Sequence, residues 1–254
     1  MLKMEIAVIG ARGAVGRVCV DEIVNRGHTA IALSREDDVP SGVSGVIIAS
    51  PIVDRTFTVP IIDCSGKLEN TSLVFPDILE PQSDRMRVPN CMASLIAQAL
   101  IGLHEKCTIT SIIATCMQSA SGAGWKGVQS LEQNNTEDVF GGQLLNNVLP
   151  HEKAEQEESA IKKDLFDLFE CSVITTSFRV PVYVGHIASL HIETKKTMDQ
   201  TLMLESKHFD PISMENKRDV AIGRLRIDKN TADLVVCGDQ LLCGTAIPAV
   251  GSIL

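Results

Sequence analysis

The sequence predicts an α/β protein, with an N-terminal parallel sheet followed by a second domain of α+β type. Four short apolar runs each close at a turn signal, as buried strands of a parallel sheet do, and they lie at 5–10, 29–34, 45–50 and 59–65. A helix is predicted over 14–26, and strand, helix and strand at this spacing open a parallel sheet. Beyond residue 50 the connections are too short for full helices, so we expect a reduced sheet.

The second half of the chain shows alternating polar and apolar residues instead. Half-buried strands are predicted over 108–119, 172–184, 186–196 and 220–228, and helices over 91–105, 151–169 and 241–254. We therefore predict two domains, 1–89 and 90–240. The C-terminal helix at 241–254 is expected to pack back onto the first domain.

The composition excludes several classes of protein. The chain has 254 residues, 44% of them hydrophobic, and its net charge of −9 argues against a nucleic-acid or anionic-membrane partner. It has no apolar run of about eighteen residues and no signal-peptide pattern before the first strand, so we expect no transmembrane helix and a cytoplasmic location. The eight cysteines are irregularly spaced without a CxxC pair, so neither a disulfide framework nor a bound metal is expected.

A glycine-rich turn follows the first predicted strand. In GARGAVG, residues Gly10, Gly13 and Gly16 give a GxxGxxG spacing, a variant of the dinucleotide fingerprint, between a strand and a helix. Glycines let the backbone approach a pyrophosphate, and N–H groups at the helix N-terminus stabilise its charge. This turn predicts a Rossmann-like nucleotide-binding domain over 1–89, in which further cofactor contacts come from Arg12, Ala14 and Val15.

The residues after the second strand predict which dinucleotide binds. An acid there usually takes the ribose 2′-hydroxyl, whereas an arginine accepts a 2′-phosphate. Ser34 and Arg35 come first in LSREDD, ahead of three acids. We therefore predict NADP, with both residues as contacts.

Cys91 is a candidate nucleophile. It follows Pro89 and Asn90 at the predicted start of a helix, where the helix dipole would favour the thiolate. Cys64, which ends a strand, is the second candidate, whereas other cysteines lie inside apolar elements. Helix position alone leaves a packed core cysteine as an equal alternative.

His186 is distinctive among the six histidines. It ends RVPVYVGH, so Arg179 and His186 flank a strand end, where side chains reach a cleft. The other histidines, His151 among them, are interpreted as residues of polar turns or solvated faces. Taken alone, His186 is better explained as a structural histidine.

Five ordered motifs resemble those of the aspartate-semialdehyde dehydrogenases: GARGAVG, PNC, MQSASGAG, RVPVYVGH and CGDQLLCGTA. The resemblance runs from residue 5 to residue 254, with two internal segments shortened. The separations from Cys91 to Gln118 and from Arg179 to His186 match the family pattern. Together the motifs are far more specific than any one of them.

The resemblance implies that L-aspartate 4-semialdehyde, phosphate and NADP interconvert with L-aspartyl 4-phosphate and NADPH. It makes Cys91 the nucleophile that forms a thioester, His186 the proton shuttle and Arg179 the group that holds the substrate carboxylate. Gln118 would orient the intermediate. The remaining implied contacts are Asn90 and Glu158 for the substrate, and Ser121, Gly122 and Gln240 for the cofactor. A homodimer or tetramer is also implied.

The chain departs from the family pattern at the phosphate site. The segment KLENTS puts Glu69 about where the family has an arginine, so Lys67 is the remaining candidate contact for inorganic phosphate. The family's Glu and Lys pair has no unique match in AEQEESAIKK. Two alternatives follow: a related acyl-phosphate reductase of the N-acetyl-glutamyl-phosphate type, or a non-catalytic homologue that binds a nucleotide or a partner subunit. Retention of the cysteine, glutamine, arginine and histidine together favours the enzyme.

Overall fold

The computed structural model describes residues 3–51, 56–199 and 202–254, which fall into two compact units. Unit 1 is Met1–Asn90 with Gly244–Leu254, and unit 2 is Cys91–Cys243. Each unit contains a six-stranded sheet. All strand pairs of the unit 1 sheet are parallel, so the predicted fold class is confirmed.

Unit 1 is built on short strands. Its elements are β1 (Glu5–Ile9), α1 (Ala14–Asn25), β2 (Thr29–Leu33), β3 (Gly45–Ile48), β4 (Ile61–Asp63), β5 (Ser72–Leu73), β6 (Arg85–Arg87) and α7 (Ile247–Ile253). The strand order is β2-β1-β3-β4-β6-β5. No helix occurs in the described residues between β3 and β6, which agrees with the short crossovers expected from the sequence.

The unit 1 sheet is buried on both faces. Along β1, Ile6 and Val8 pack in a cluster with Ile23 of α1 and Val250 of α7. Ala7 and Ile9 face a second cluster, in which they pack with residues of β3 and β4 and with two buried loop residues, Val43 and Leu68. Because successive strand residues point to opposite faces, one continuous apolar run fills both clusters.

Unit 2 is a mixed sheet with helices. Its elements are α2 (Cys91–Cys107), β7 (Ile109–Gln118), α3 (Gly124–Glu132), α4 (Glu137–Phe140), β8 (Leu149–Pro150), α5 (Ala154–Phe169), β9 (Ser172–Arg179), β10 (His186–Thr194), α6 (Pro211–Met214), β11 (Ala221–Asp228) and β12 (Thr231–Gly238). The strand order is β11-β12-β10-β7-β9-β8. Within it β7 and β9 are parallel, and the other pairs are antiparallel.

Helices α2 and α5 cover one face of this sheet. Leu100 of α2 and Leu165 of α5 are fully buried in a cluster with Ile112 and Leu190 of the sheet. Each such side chain contributes roughly 1.5–3 kcal/mol through removal of apolar surface from water. Strand β9 ends at Arg179, earlier than predicted, because Pro181 follows and has no N–H for the ladder.

Two kinds of feature are absent from the described residues. No helix there is long and apolar enough to cross a membrane. The same residues include no group of three or more His, Cys, Asp or Glu side chains that could hold a metal ion.

Candidate active site

Three of the expected side chains meet at one edge of the unit 2 sheet. Gln118 ends β7 and Arg179 ends β9, and the two are register partners in this parallel pair. His186 begins the antiparallel strand β10 and pairs with Gly238, where β12 ends. Parallel strands end at the same edge of a sheet, and an antiparallel neighbour begins there. Distant segments of the chain therefore deliver these side chains together.

The guanidinium of Arg179 is buried and already paired. Glu152 binds it as a fork, with Oε2 3.2 Å from Nε and Oε1 2.8 Å from Nη2. Nη1 donates to the carbonyl oxygen of Ser119 at 2.8 Å, and the guanidinium carbon lies 5.2 Å from the centre of the Phe140 ring. Burial opposes ionisation of Glu152, but the hydrogen bond and charge of Arg179 outweigh it and hold the pKa of Glu152 below its usual value.

The pairing with Glu152 was not foreseen from the sequence. The carboxylate of Glu152 occupies N–H donors of the guanidinium group to which the resemblance assigns the substrate carboxylate. Glu152 precedes a strongly charged helix, where a single further acid carries no distinguishing signal.

His151 completes the surroundings of Arg179. Its Nε2 lies 2.6 Å from Nη2 of Arg179, and its Nδ1 accepts from the backbone nitrogen of Lys153 at 3.1 Å. The ring is 7% exposed, so the sequence-based interpretation of His151 as a solvated residue is wrong. Burial and the neighbouring guanidinium lower the pKa of His151, so the ring is neutral near pH 7.

Two adjacent glutamates of α5 have different partners. Oε1 of Glu157 accepts from Nε2 of Gln118 at 2.8 Å, whereas Oε1 of Glu158 accepts from the backbone nitrogen of Ser177 at 2.8 Å. Glu158, the predicted substrate contact, is therefore engaged with strand β9. Glu157, which was not predicted, lies beside Gln118. Successive helix residues point about 100° apart, and the run AEQEES does not indicate which glutamate faces the site.

Cys91 is the first residue of α2. Burial of its thiol and the charge of Glu157 raise its pKa to about 12, against the opposing charge of Arg179. The lowered pKa expected from the helix dipole is therefore wrong for the free protein, because desolvation of a thiolate outweighs a terminal dipole. In Cys64, the second candidate, a hydrogen bond with Cys19 and burial also raise the pKa. Only Cys91 of these two has an arginine and a glutamate acting on its thiol.

His186 is fully buried, and its two ring nitrogens have different surroundings. Nδ1 lies 3.2 Å from the backbone nitrogen of Ser119 and 3.1 Å from its hydroxyl oxygen. Nε2 has no hydrogen-bond partner within the part of the chain that the structure describes. Burial first, and then Arg179 and His151, hold the pKa of His186 well below its usual value. The ring is therefore neutral near pH 7.

Two predicted cofactor contacts of unit 2 are joined to this histidine. Oε1 of Gln240 accepts from the backbone nitrogen of Gly185 at 2.8 Å, and its Nε2 donates to the hydroxyl of Ser121 at 2.6 Å. That hydroxyl lies 3.2 Å from the hydroxyl of Ser119. Both Ser121 and Gln240 are buried, so these polar atoms serve a network inside unit 2.

Gly122 leaves room for the side chains of both Arg179 and His186 beside its backbone. A Cβ at this position would lie 2.6 Å from Nη1 of Arg179 and 3.4 Å from Nε2 of His186. Any side chain here would displace the guanidinium. The glycine is therefore a packing requirement of the site.

In unit 1 the glycine-rich turn joins β1 to α1. Gly10 has a φ of +80° and, with Ala11, donates to the carbonyl oxygen of Leu33. A Cβ at Gly16 would collide with the carbonyl oxygen of Gly10. Helix α1 follows Gly13, and no side chain of the described residues caps it. The helix start therefore offers backbone N–H groups from its first turn, residues Ala14, Val15 and Gly16, and Arg12 beside them is exposed.

The other predicted contacts of unit 1 lie on two loops. After β2, the backbone nitrogen of Ser34 donates to Oδ2 of Asp37 at 2.6 Å, and Arg35 is exposed. After β4, the buried carboxylate of Asp63 accepts from the backbone nitrogen of Lys67 at 2.9 Å. The predicted phosphate-site residues Lys67 and Glu69 have exposed side chains, and Asn90 is half-buried directly before α2.

The amino-acid sequence is similar to those of known proteins. Residues 100–243, more than half of the chain, match the semialdehyde dehydrogenase dimerisation domain. The aspartate-semialdehyde dehydrogenase of Prochlorococcus marinus is 28% identical over 200 residues, which cover 64% of this chain and 58% of that protein. The enzyme of the same name from Rickettsia bellii is 25% identical over 324 aligned positions, covering 98% of this chain and 96% of that protein. The match thus spans less than two thirds of the first relative.

Solved structures share the fold. Aspartate semialdehyde dehydrogenase II of Vibrio cholerae, complexed with ASA, has a TM-score of 0.84 at 20% identity and covers 100% of this chain and 98% of that one. The aspartate semialdehyde dehydrogenase of Candida albicans, with NADP, has a TM-score of 0.68 at 15% identity, with coverages of 100% and 98%. The match over residues 100–243, together with the curated relatives, shows that the chain belongs to the aspartate-semialdehyde dehydrogenase family.

Proposed function

We propose that the protein is an NADP-dependent, phosphate-dependent aspartate-semialdehyde dehydrogenase. It interconverts L-aspartate 4-semialdehyde with L-aspartyl 4-phosphate through a thioester on Cys91. The observation that carries the proposal is the cluster of Gln118, Arg179 and His186 at one sheet edge, together with the electrostatic effect of Arg179 on the Cys91 thiol.

The turn of unit 1 fits a dinucleotide. Gly16 keeps the turn free of a Cβ, and α1 starts without a capping side chain from the described residues, so its N–H groups suit a pyrophosphate. Gly13, Ala14 and Val15 would hold that group, and Arg35 would meet the 2′-phosphate. When bound, NADP supplies the acceptor for the hydride that leaves C4 of the substrate.

The residues of unit 2 bind and orient the reacting carbonyl. The sulfur of Cys91 gives up its proton and bonds to the carbonyl carbon, so that a hemithioacetal forms. Loss of a hydride from its carbon and a proton from its oxygen leaves a thioester, and attack by phosphate on that thioester forms the aspartyl phosphate and releases the thiolate. His186 presents Nε2 to the carbonyl oxygen, and Gln118 fixes the intermediate by hydrogen bonding. Lys67 is the proposed cation for the incoming phosphate.

Arg179 is the proposed site for the substrate α-carboxylate. The substrate has to share the guanidinium with Glu152 or displace it, because the Nε and Nη2 donors are already used. Nη1 uses one hydrogen for Ser119, and no second acceptor for it occurs among the described residues. A substrate carboxylate would bind first at Nη1, beside Gly122.

We also propose a homodimer that uses the sheet face opposite α2 and α5. Ile113 of β7 and Ile174 of β9 are register partners there and are 44% and 62% exposed. His191 of β10 pairs in register with Ile113 and with Asp233 of β12, to which it is hydrogen bonded at 2.8 Å. An apolar row that ends in a polar pair suits a self-complementary interface. Light scattering after Ile174→Glu is expected to show a monomer, and an unchanged dimer would exclude this face.

A non-catalytic homologue is the second candidate, and one observation favours it. The chain's own Glu152 fills the fork of Arg179, so the free site is complete without a carboxylate ligand. A protein retained as a nucleotide-binding or subunit-partner module would need no substrate there.

A direct spectrophotometric assay distinguishes the dehydrogenase from the non-catalytic homologue. Purified protein is mixed with L-aspartate 4-semialdehyde, NADP and phosphate, and the absorbance of reduced nicotinamide is followed. We expect phosphate-dependent NADPH formation that falls by about 10³-fold or more in Cys91→Ser and persists in the matched Cys64→Ser control. No turnover by folded wild-type protein would favour the non-catalytic homologue.

A further inference from the structure

A chain of buried hydrogen bonds leads from the backbone to the catalytic histidine. It runs from the N–H of Gly185 through Gln240, Ser121 and Ser119 to Nδ1 of His186, with lengths between 2.6 and 3.2 Å. All three intervening side chains are buried. Their polar hydrogens must therefore find hydrogen-bond acceptors within the protein and not in bulk water.

The backbone N–H of Gly185 determines which atom donates in each hydrogen bond of this series. The N–H of Gly185 is a donor, so the Gln240 atom that meets it is the carbonyl Oε1, and the amide group Nε2 must face Ser121. Since the hydroxyl oxygen of Ser121 accepts there, its hydrogen is free to donate to Ser119. The hydroxyl hydrogen of Ser119 then points to Nδ1 of His186.

A second donor reaches the same nitrogen from the main chain. The backbone N–H of Ser119 lies 3.2 Å from Nδ1 and cannot reverse its direction. Nδ1 thus faces two donors and must offer its lone pair, so the single proton of the neutral ring is on Nε2. A proton on Nδ1 would oppose the N–H of Ser119. A cationic ring would also be repelled by the charge of Arg179, whose guanidinium donates to the carbonyl oxygen of Ser119. His151, which contacts the same guanidinium, is neutral and does not offset this repulsion.

We propose that Gln240, Ser121 and Ser119 are positioning residues that hold His186 as the neutral Nε2–H tautomer, so that it meets the substrate as a hydrogen-bond donor. Nε2 is buried and has no acceptor in the described part of the chain. The acceptor is a carbonyl oxygen that gains negative charge as a sulfur adds to its carbon. This role for the tautomer rests on the proposed function, whereas the tautomer itself does not.

The tautomer can be read directly by nuclear magnetic resonance. In protein with ¹⁵N-labelled histidine, long-range ¹H–¹⁵N correlations distinguish a protonated from an unprotonated ring nitrogen, and the His186 signals are assigned by their loss in His186→Gln. We expect a protonated Nε2 and an unprotonated Nδ1 from pH 7.5 to 8.5, where the ring is neutral. A protonated Nδ1 anywhere in this range overturns the inference, whether or not the protein turns over substrate.

Gln240→Glu tests the series of hydrogen bonds by reversing the direction in which its hydroxyl groups donate. The introduced carboxylate still accepts from Gly185 but cannot donate to Ser121, so both serine hydroxyls turn away from His186 and the Ser119 oxygen offers a lone pair to Nδ1. We expect Nδ1 to become partly protonated and the pKa of His186 to rise. Ser119→Ala is the second variant and should give a weaker change, because the backbone N–H remains.

Ser130→Ala is the matched control, since this buried serine donates to the carbonyl oxygen of Gly127 at 2.9 Å and takes no part in the chain. It should leave the His186 signals unchanged. An unaltered tautomer and pKa in both Gln240→Glu and Ser119→Ala would overturn the positioning role. An Nε2–H ring in a protein without dehydrogenase activity would sustain the inference and reject the proposed function.

Discussion

The two units hold their candidate binding groups in different ways. In unit 1 the groups are backbone N–H groups at the start of α1, on a turn that glycines keep open. In unit 2 they are side chains from separate strands and helices, and Arg179, Gln118 and His186 already have protein partners. A ligand of unit 1 meets unused donors, whereas a ligand of unit 2 must join or replace existing bonds. Preorganisation in the second unit therefore depends on exact side-chain packing.

The same substitution, glycine to alanine, should impair a different property in each unit, and the largest effect is expected in unit 1. In Gly16→Ala the new Cβ collides with the backbone carbonyl of Gly10, so the turn must open. We expect NADP affinity to fall by about 100-fold or more, measured by calorimetric titration. Gly102→Ala, in α2 with no heavy atom near the new Cβ, is the control. Wild-type affinity in Gly16→Ala would show that the turn does not cradle the cofactor.

Gly122→Ala is the corresponding change in unit 2. The new methyl group displaces Nη1 of Arg179 and touches the ring of His186, but both can shift a little because they are side chains. We expect kcat/KM to fall by about 10- to 100-fold, with a smaller loss of NADP affinity. Steady-state kinetics with a separate NADP titration measures both. An equal loss in the two quantities would mean that Gly122 acts mainly through the cofactor.

Glu152→Gln sharpens the comparison by removing the charge that fills the unit 2 site. The folded-state pKa of Glu152 lies below its usual value of 4.5, so its ionised form stabilises the fold. That contribution is complete above about pH 5 and is lost as pH falls through the lower folded-state pKa. We expect the variant to lose on the order of 1–3 kcal/mol at pH 7, with a flatter stability profile between pH 5 and 3. Denaturant titrations at several pH values provide the measurement, and an unchanged acid profile would contradict the pairing.

Glu157→Gln should give the smallest effect, on the reactivity of Cys91. The glutamate raises the pKa of the thiol, and a neutral amide of the same shape can still accept from Gln118. A lower pKa gives more thiolate, so alkylation of Cys91 by iodoacetamide at pH 8 should be about 3- to 10-fold faster. Peptide mass spectrometry follows Cys91 alone, with Glu155→Gln on the exposed side of the same helix as control. Equal rates in both variants would exclude an electrostatic effect of Glu157.

The sequence predicted features that short segments determine by themselves. The GxxGxxG turn, the start of α2 at Cys91 and the ends of β7 and β10 were all predicted to within a residue or two. These depend on local patterns, such as glycine where a Cβ has no room. Strand β12 was not predicted, because the segment from Thr231 to Gly238 mixes polar and apolar residues without a clear boundary.

The site partners could not be predicted in the same way. Glu152 and His151 contact Arg179 across nearly thirty positions of sequence, and no local pattern marks either as buried. Glu157 and Glu158 differ only by one position on a helix, yet just one of them contacts Gln118. The pKa of Cys91 likewise depends on tertiary burial, which overrides the helix terminus.

The return of the chain from unit 2 to unit 1 affects the order of folding. Ala249, Val250 and Ile253 of the C-terminal segment share a core with Ile6 and Ile23. During synthesis the N-terminal strands leave the ribosome first, but this core lacks its final layer until the C-terminal segment emerges. The growing chain thus carries an uncovered apolar surface throughout translation of unit 2. That interval is when chaperone binding would protect it from aggregation.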